Sequence, residues 1–305
     1  MNRSYGKLLL VVAVFSGIVF AAYAAAAAEM GGMQGHQHPM AGPELAAKPD
    51  EVKAVISTVP KEISAGRPAT LLFSLSDASG KPLENLSVHH DRLVHVIIAS
   101  RDFSVFAHIH PEDFGPITPS MKKTARYPVR FTFPRGGRYI IGIDFASGDR
   151  NFSRRFLVDV SGEPRTGPAR KDLAREKTFG DLAVSFSSVP ERITAGNEAT
   201  LTYLFRSEGQ PVTDLEPYLS APMHLAIIPA DLSRFIHTHG ELPGMMAMGH
   251  QGHGHDMTMH MRVPDRFGPK VEVHVVFPAK GLYQIFGQVG HKGSVTDTSF
   301  MVEVE

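Results

Sequence analysis

The chain contains no cysteine and no tryptophan in 305 residues. Without cysteine there is no disulfide framework, thiolate zinc site, iron–sulfur cluster or cysteine nucleophile. A blue-copper electron-transfer centre is excluded as well, because its sulfur ligand is a cysteine thiolate. Excess charge is also lacking, since 31 Lys and Arg balance 31 Asp and Glu. A neutral chain has no broad attraction for nucleic acid, so none is expected as a partner. P-loop, G-x-S-x-G and H-E-x-x-H signatures are absent. In abundance are 16 His and 13 Met. Hydrophobic residues make up 43% of the chain, enough for a globular core. Imidazole, thioether and carboxylate are therefore the donors to follow.

Long apolar runs are scarce too. The one that stands out is the uncharged stretch Leu8 to Ala28, behind the basic Arg3 and Lys7. Small residues from Ala24 to Ala28 follow it, so residues 1–28 read as a secretory signal cleaved before Glu29. Left uncleaved, the stretch is long enough to anchor the chain, and this segment is the expected membrane contact. Either way the remainder is expected to be exported, periplasmic or secreted. Losing Arg3 and Lys7 leaves a net charge of −2.

The chain repeats itself. Val59-Pro60 through Ala65-Gly66 matches Val189-Pro190 through Ala195-Gly196, and Ala69-Thr70-Leu71 matches Ala199-Thr200-Leu201. His95, Asp102, Phe106, His108 and His110 correspond to His224, Asp231, Phe235, His237 and His239, all 129 apart. Phe133-Pro134, Gly137 and Tyr139 correspond to Phe277-Pro278, Gly281 and Tyr283 at a spacing of 144. The difference of 15 places an insertion at about 241–269 of the second copy. Short apolar or alternating segments punctuated by Gly, Pro, Asn and Asp predict strands. The expected fold class is all-β: two tandem immunoglobulin-like antiparallel β-sandwich domains after the signal segment. Their expected bounds are 51–162 and 181–305. A flexible Met/His arm covers 29–50, and a polar linker covers 163–180, with a short helix expected at Lys171 to Lys177.

In each copy one His precedes an H-x-H by 13 residues. A tight hairpin turning at Arg101-Asp102 would set Ile97 opposite Phe106 and His95 opposite His108, with His110 on the same face. The second copy would likewise set His224 opposite His237 with His239 beside them. Two separate His triads result, and neutral imidazole suits copper, zinc and nickel. Met223, beside His224, offers a soft ligand that the first copy lacks, having Val94 there. Asp102 and Asp231 are expected to serve the turns. His89-His90 reads as an exposed loop pair, and His274 and His291 as structural or surface residues.

Outside the triads, His and Met cluster in two tracts. The insertion holds Met245, Met246, Met248, His250, His253, His255, Met257, Met259, His260 and Met261. The mature N-terminus holds Met30, Met33, His36, His38 and Met40. These Met have Gly and polar neighbours, so core packing does not explain them. Thioether suits Cu(I), and imidazole accepts Cu(I) or Cu(II). Copper is the expected metal, with silver and zinc as the alternatives.

The run Met223 to His239, M-H-L-x-I-I-x-x-D-L-S-x-F-x-H-x-H, together with F-P-x-x-G-x-Y at Phe277 to Tyr283, resembles the YtkA-like domain across both repeats. More loosely, the His spacing and Met-rich tract resemble CopC-type periplasmic copper carriers. These resemblances imply a copper-binding β-sandwich in a bacterial envelope. The N-terminal His that CopC-type sites often use has no counterpart, because the expected mature residue is Glu29. The function expected is therefore non-enzymatic copper binding for tolerance, storage or delivery, with a periplasmic efflux or copper protein as partner. The alternatives are a structural or assembly module of the envelope and a copper- or zinc-dependent dismutase-like enzyme.

Overall fold

The computed structural model describes residues 51–148, 150–164, 169–244 and 263–305. The signal segment, the arm with Met30, Met33, His36, His38 and Met40, and the tract from Met245 to Met261 lie outside these residues. Eighteen strands are described, with one short helix, α1 (Pro119–Thr124). In the first repeat the strands are β1 (Val52–Val59), β2 (Pro68–Asp77), β3 (Leu86–Ser87), β4 (Val94–Ser100), β5 (Phe106–Ile109), β6 (Arg126–Thr132), β7 (Gly137–Ser147) and β8 (Arg150–Val160). In the second they are β9 (Glu176–Phe179), β10 (Leu182–Val189), β11 (Glu198–Ser207), β12 (Gln210–Pro211), β13 (Leu215–Glu216), β14 (Met223–Pro229), β15 (Ile236–Gly240), β16 (Lys270–Val276), β17 (Gly281–His291) and β18 (Ser294–Val304). Among the described residues no helix is long and apolar enough to cross a membrane.

Each repeat is an antiparallel β-sandwich of immunoglobulin-like character. In the first, β1-β2-β6 opposes a five-stranded sheet in which β5, β4, β7 and β8 lie side by side and β3 pairs the end of β7. In the second, β9-β10-β11-β16 with β12 opposes β15-β14-β17-β18 with β13. Alternation sends Leu71, Phe73, Tyr127 and Val129 inward against Val96, Ile98, Ile141 and Ile143. The F-P-x-x-G-x-Y motif closes each sandwich in the same way. The Tyr139 hydroxyl donates to the Arg135 carbonyl at 2.9 Å, and Tyr283 donates to Ala279 at 2.8 Å. A tyrosine bonded a few residues upstream is a recurrent corner of immunoglobulin-like sandwiches.

The sandwiches are not beads on a linker. Every residue of β4 and of β14 is buried, on both faces of the strand. A strand with one face in its own sandwich should have the other in water. Here the outer faces of the two five-stranded sheets pack on each other. Ile97, Ala99, Phe103 and Ile140 of the first repeat meet Ala226, Ile228, Leu232, Phe235, Phe286 and Met301 of the second. Burying each large apolar side chain there contributes about 1.5–3 kcal/mol. The segment between the repeats joins this seam through Ala169 and Leu173. The helix expected at Lys171 to Lys177 does not form. Its end is instead strand β9, which pairs with β10 and thereby extends a sheet.

The expected hairpin register is also corrected. The β4–β5 turn spans four residues rather than two, because the Ser100 amide donates to the Val105 carbonyl at 3.0 Å. Asp102 serves the turn as expected, its Oδ1 accepting from the Ser100 and Ser104 hydroxyls and the Ser104 amide. Asp231 does the same for the Ser233 amide. Ile97 therefore lies opposite His108 and Ala99 opposite Phe106. In the second repeat His224 lies opposite His239, not His237. The shift is an even number of residues, so every His keeps its face.

The seam makes one glycine indispensable. A Cβ on Gly142 of β7 would sit 2.6 Å from the ring of Phe235 in the other repeat. Gly142→Ala is expected to lower stability by about 1–3 kcal/mol through overpacking. Thermal unfolding checks this, with the solvent-exposed Val55→Ala as a variant that should leave the midpoint in place.

Candidate metal centre

The residues that alternate outward at one end of the seam are histidines. His95 on β4 and His108 on β5, with His110 just beyond it, face His224 on β14 and His237 and His239 on β15. All six belong to one cluster, so the two triads expected from the hairpins meet across the seam rather than lying apart. The cause is the packing of the two outer faces, which strand periodicity within one repeat does not reveal.

The first-repeat triad closes on itself. His95 Nδ1, His108 Nε2 and His110 Nε2 form a triangle with sides of 3.1, 3.2 and 3.1 Å. The protons lie on the other nitrogens. His95 Nε2 donates to the His89 carbonyl at 2.9 Å, and His110 Nδ1 donates to the Asp113 carboxylate at 3.1 Å. His108 Nδ1 donates to Gln288 Oε1 at 2.9 Å, and the Gln288 amide is oriented by donating to Asp297 at 2.8 Å. A neutral imidazole carries one N–H, so all three converging nitrogens present lone pairs. Three lone pairs cannot hydrogen-bond one another. The triangle fits a transition-metal ion, since M–N bonds of about 2.0–2.1 Å in a tetrahedral site place ligands about 3.3 Å apart.

Local sequence explains how His110 is held. It begins the tight helical turn Pro111–Phe114, and Asp113 accepts both its amide at 2.8 Å and its ring. The next residue before that, Glu112, accepts the Leu93 amide at 2.9 Å and ties the turn to the start of β4. A carboxylate behind a ligating imidazole fixes its tautomer and raises its basicity.

Across the seam the same logic repeats with exchanged partners. His237 Nδ1 donates to Asp144 of β7 at 3.0 Å, and Asp144 also accepts from Ser153 at 3.0 Å. Asp144 corresponds to Gln288, and Ser153 to Asp297, at the repeat spacing. Each repeat thus orients a histidine of the other through equivalent positions. His224 Nε2 donates to the Leu219 carbonyl at 3.1 Å, leaving its Nδ1 3.3 Å from His237 Nε2. His95, His108, His224 and His237 can bring one ligand atom each within 4.8 Å of the others, and so can His90, His224 and His239.

The two triads are not equivalent. His239 corresponds to His110, but Leu242 stands where the first repeat has Asp113. His239 Nε2 is buried without a hydrogen-bond partner among the described residues. Met223 is not a ligand: its side chain lies in the core of the second sandwich, on the face opposite His224, beside Gly287. His89-His90 is not an isolated surface pair, since His90 stacks on His239 with ring centroids 3.6 Å apart. His274 is paired with Glu198, and the buried His291 lies between Asp181 and Asp214, both away from the cluster. Sequence reasoning missed Asp113, Asp144 and Gln288. The pairing of Asp144 with Gln288 at spacing 144 was the available signal.

The protein matches one family model, described as a domain of unknown function (DUF8832), twice, over residues 46–162 and 177–305. Its description names neither the YtkA-like nor the CopC type, so those resemblances stay with the motifs alone. No curated protein matches. Among solved structures the chain is similar to FdeC, an Escherichia coli adhesin, with 9% identity, covering 83% of this chain and 64% of that one, at a TM-score of 0.23. It is similar to invasin, a bacterial integrin-binding protein, with 9% identity, covering 82% and 39%, at 0.22. It is also similar to domains 4 and 5 of the S-layer protein SbsC, with 13% identity, covering 57% and 67%, at 0.22. The chain thus spans under two thirds of the first two. Superpositions this poor carry neither arrangement nor function across.

Burial holds His95, His108, His110, His224 and His239 below the ordinary imidazole value. Neighbouring histidines add to this for four of them, whereas Asp113 opposes it for His110. Their folded-state values lie below the unfolded value of about 6.5. Below that pH the unfolded chain takes up protons that the fold refuses, so stability falls with acidification. Thermal unfolding of metal-free protein should show a midpoint that is flat above about pH 6.5 and drops steadily below it. A midpoint independent of pH down to about 5 would contradict neutral buried imidazoles.

Proposed function

The chain belongs to the DUF8832 family, whose description assigns no activity, and from the site itself we propose that it is an exported metal-binding protein that holds copper. The observation that carries this is the triangle of three proton-free nitrogens, His95 Nδ1, His108 Nε2 and His110 Nε2, with sides of 3.1–3.2 Å. His95, His108 and His110 would hold the ion. Bound there, it supplies positive charge that offsets the three facing lone pairs. Asp113, Gln288 and the His89 carbonyl keep each ring in the tautomer that presents a lone pair. The surrounding sheets exclude water, since all three side chains are buried. A closed site suits retention of an ion, whereas catalysis needs an open coordination position. Copper is favoured over zinc because the Met-rich tracts add soft donors that zinc does not use. Those tracts, at Met30 to Met40 and Met245 to Met261, would capture metal and pass it to a periplasmic acceptor.

A second reading is a structural or assembly module of the envelope. Strand β1 pairs only with β2 among the described residues, and Val55 and Val59 stand outward on it. An open edge of this kind accepts a partner's strand. On that reading, loss of the histidines leaves assembly unchanged.

Metal analysis of the protein from its own compartment should find copper at one equivalent or more per chain. Cu(I), Cu(II) or Ag(I) should raise the unfolding temperature, because a ligand bound only by the folded state stabilises it. Asp113→Asn should weaken copper binding by about 10- to 100-fold. No bound metal, together with no thermal shift by any of the three ions, overturns the proposal.

A further inference from the structure

We propose that the cluster contains a second, unlike metal position at His90, His224 and His239, which joins the two repeats. The proposal rests on the reading of the cluster as a metal centre and extends it to a different ligand set. His90 comes from the turn before β4 of the first repeat, whereas His224 and His239 come from β14 and β15 of the second. One ligand atom from each lies within 4.8 Å of the others. His224 has its Nε2 committed to the Leu219 carbonyl, so Nδ1 is the nitrogen it offers. His239 Nε2 is the orphan: a buried polar atom with no partner among the described residues. A buried polar atom left so is costly, and a metal ion is one way to satisfy it.

The internal symmetry shows why this position is a site in its own right. The turn His89-His90-Asp91 of the first repeat corresponds to Tyr218-Leu219-Ser220 of the second. Asp91 and Ser220, equivalent to each other, meet at the seam, where the Ser220 hydroxyl donates to Asp91 at 2.6 Å. Both turns use the left-handed backbone region, with φ of +46° at His90 and +48° at Leu219. The two turns are thus matched in backbone and placement, but only one presents an imidazole. The symmetric counterpart of the proposed position would be Leu219 with His95 and His110. There the leucine cannot ligate, and His110 is held by Asp113 within its own triad instead. In the second half no carboxylate among the described residues holds His239, and His90 stacks on it from the other repeat. Each half therefore completes a His pair by a different device: an oriented third imidazole within the repeat, or a third imidazole across the seam.

The ligand class is a transition-metal ion that accepts imidazole: copper in either state, or a divalent ion such as cobalt or zinc. An ion held there would fasten one repeat to the other, because its ligands come from both. The inner position takes all three of its ligands from the first repeat.

Co(II) is the probe, titrated into the full chain and followed by its visible absorption and by bound cobalt per chain after gel filtration. Comparison with the unaltered chain cancels whatever the Met/His tracts bind. His90→Ala and His110→Ala should each lower bound Co(II) by one equivalent, and the two losses should carry different absorption spectra. The double variant should lose both. His239→Ala should match His90→Ala, which guards against a folding defect peculiar to the turn. If His110→Ala loses one equivalent while His90→Ala and His239→Ala lose none, the second position is overturned and the metal-centre reading stands. If none of the three loses any, that reading falls as well. Loss of both equivalents from His90→Ala alone would overturn the division into two positions.

Discussion

The structure depends on the contact between the outer faces of two β-sheets. Left apart, β4 and β14 would each present His, Ile or Ala residues to water. Packed together, they bury those faces, and the seam becomes a third core beside the two sandwich interiors. The apolar part of that core, around Ile97, Ala226 and the stacked rings of Phe106 and Phe286 at 4.2 Å, supplies the association energy. The imidazole part opposes it, because burying six imidazoles is costly. The two parts share the same strands, so the site cannot be assembled without the apolar contact beside it.

That coupling explains what was legible in the sequence. Alternation and turn residues located the strands, and the duplication located both triads and the hairpin Asp residues. The even spacing from His95 to the seam-facing Ile97 and Ala99 kept the His on one face despite the two-residue error in register. What could not be read was the surface that the face meets. Nothing in the pattern of Val94 to Ser100 distinguishes a face covered by a partner repeat from one exposed to solvent, except that the His-Ile-Ala positions are not polar enough for water. The same gap hid Asp144 and Gln288, whose role exists only once the repeats are docked. Met223 failed for a simpler reason. Its neighbour His224 points outward, so Met223 points inward, and adjacency along a strand opposes shared ligation.

Duplication normally yields two copies of one site. Here it yielded halves that depend on each other. His108 is oriented by Gln288 and His237 by Asp144, so neither repeat carries its own complete set of ring partners. The partners have also diverged in chemistry. A neutral amide backed by Asp297 faces His108, whereas a carboxylate backed by Ser153 faces His237. A carboxylate makes its imidazole the stronger donor to a metal, and an amide leaves it weaker. His108 and His237, at corresponding positions of the two repeats, are thereby held by unlike partners.

Such a difference would matter to a cluster that both holds and releases an ion, as proposed above. A set of identical, fully oriented imidazoles would bind tightly and exchange slowly. In this cluster His110 is held by Asp113 inside the fold, whereas His239, stacked on His90, keeps a buried Nε2 without a hydrogen-bond partner among the described residues. His90 sits in a half-buried turn, whereas the first triad is sealed. Constraint therefore falls, and exposure rises, from His110 outward to His90. The direction of that gradient follows from which repeat kept the carboxylate at the position of Asp113 and which put leucine there.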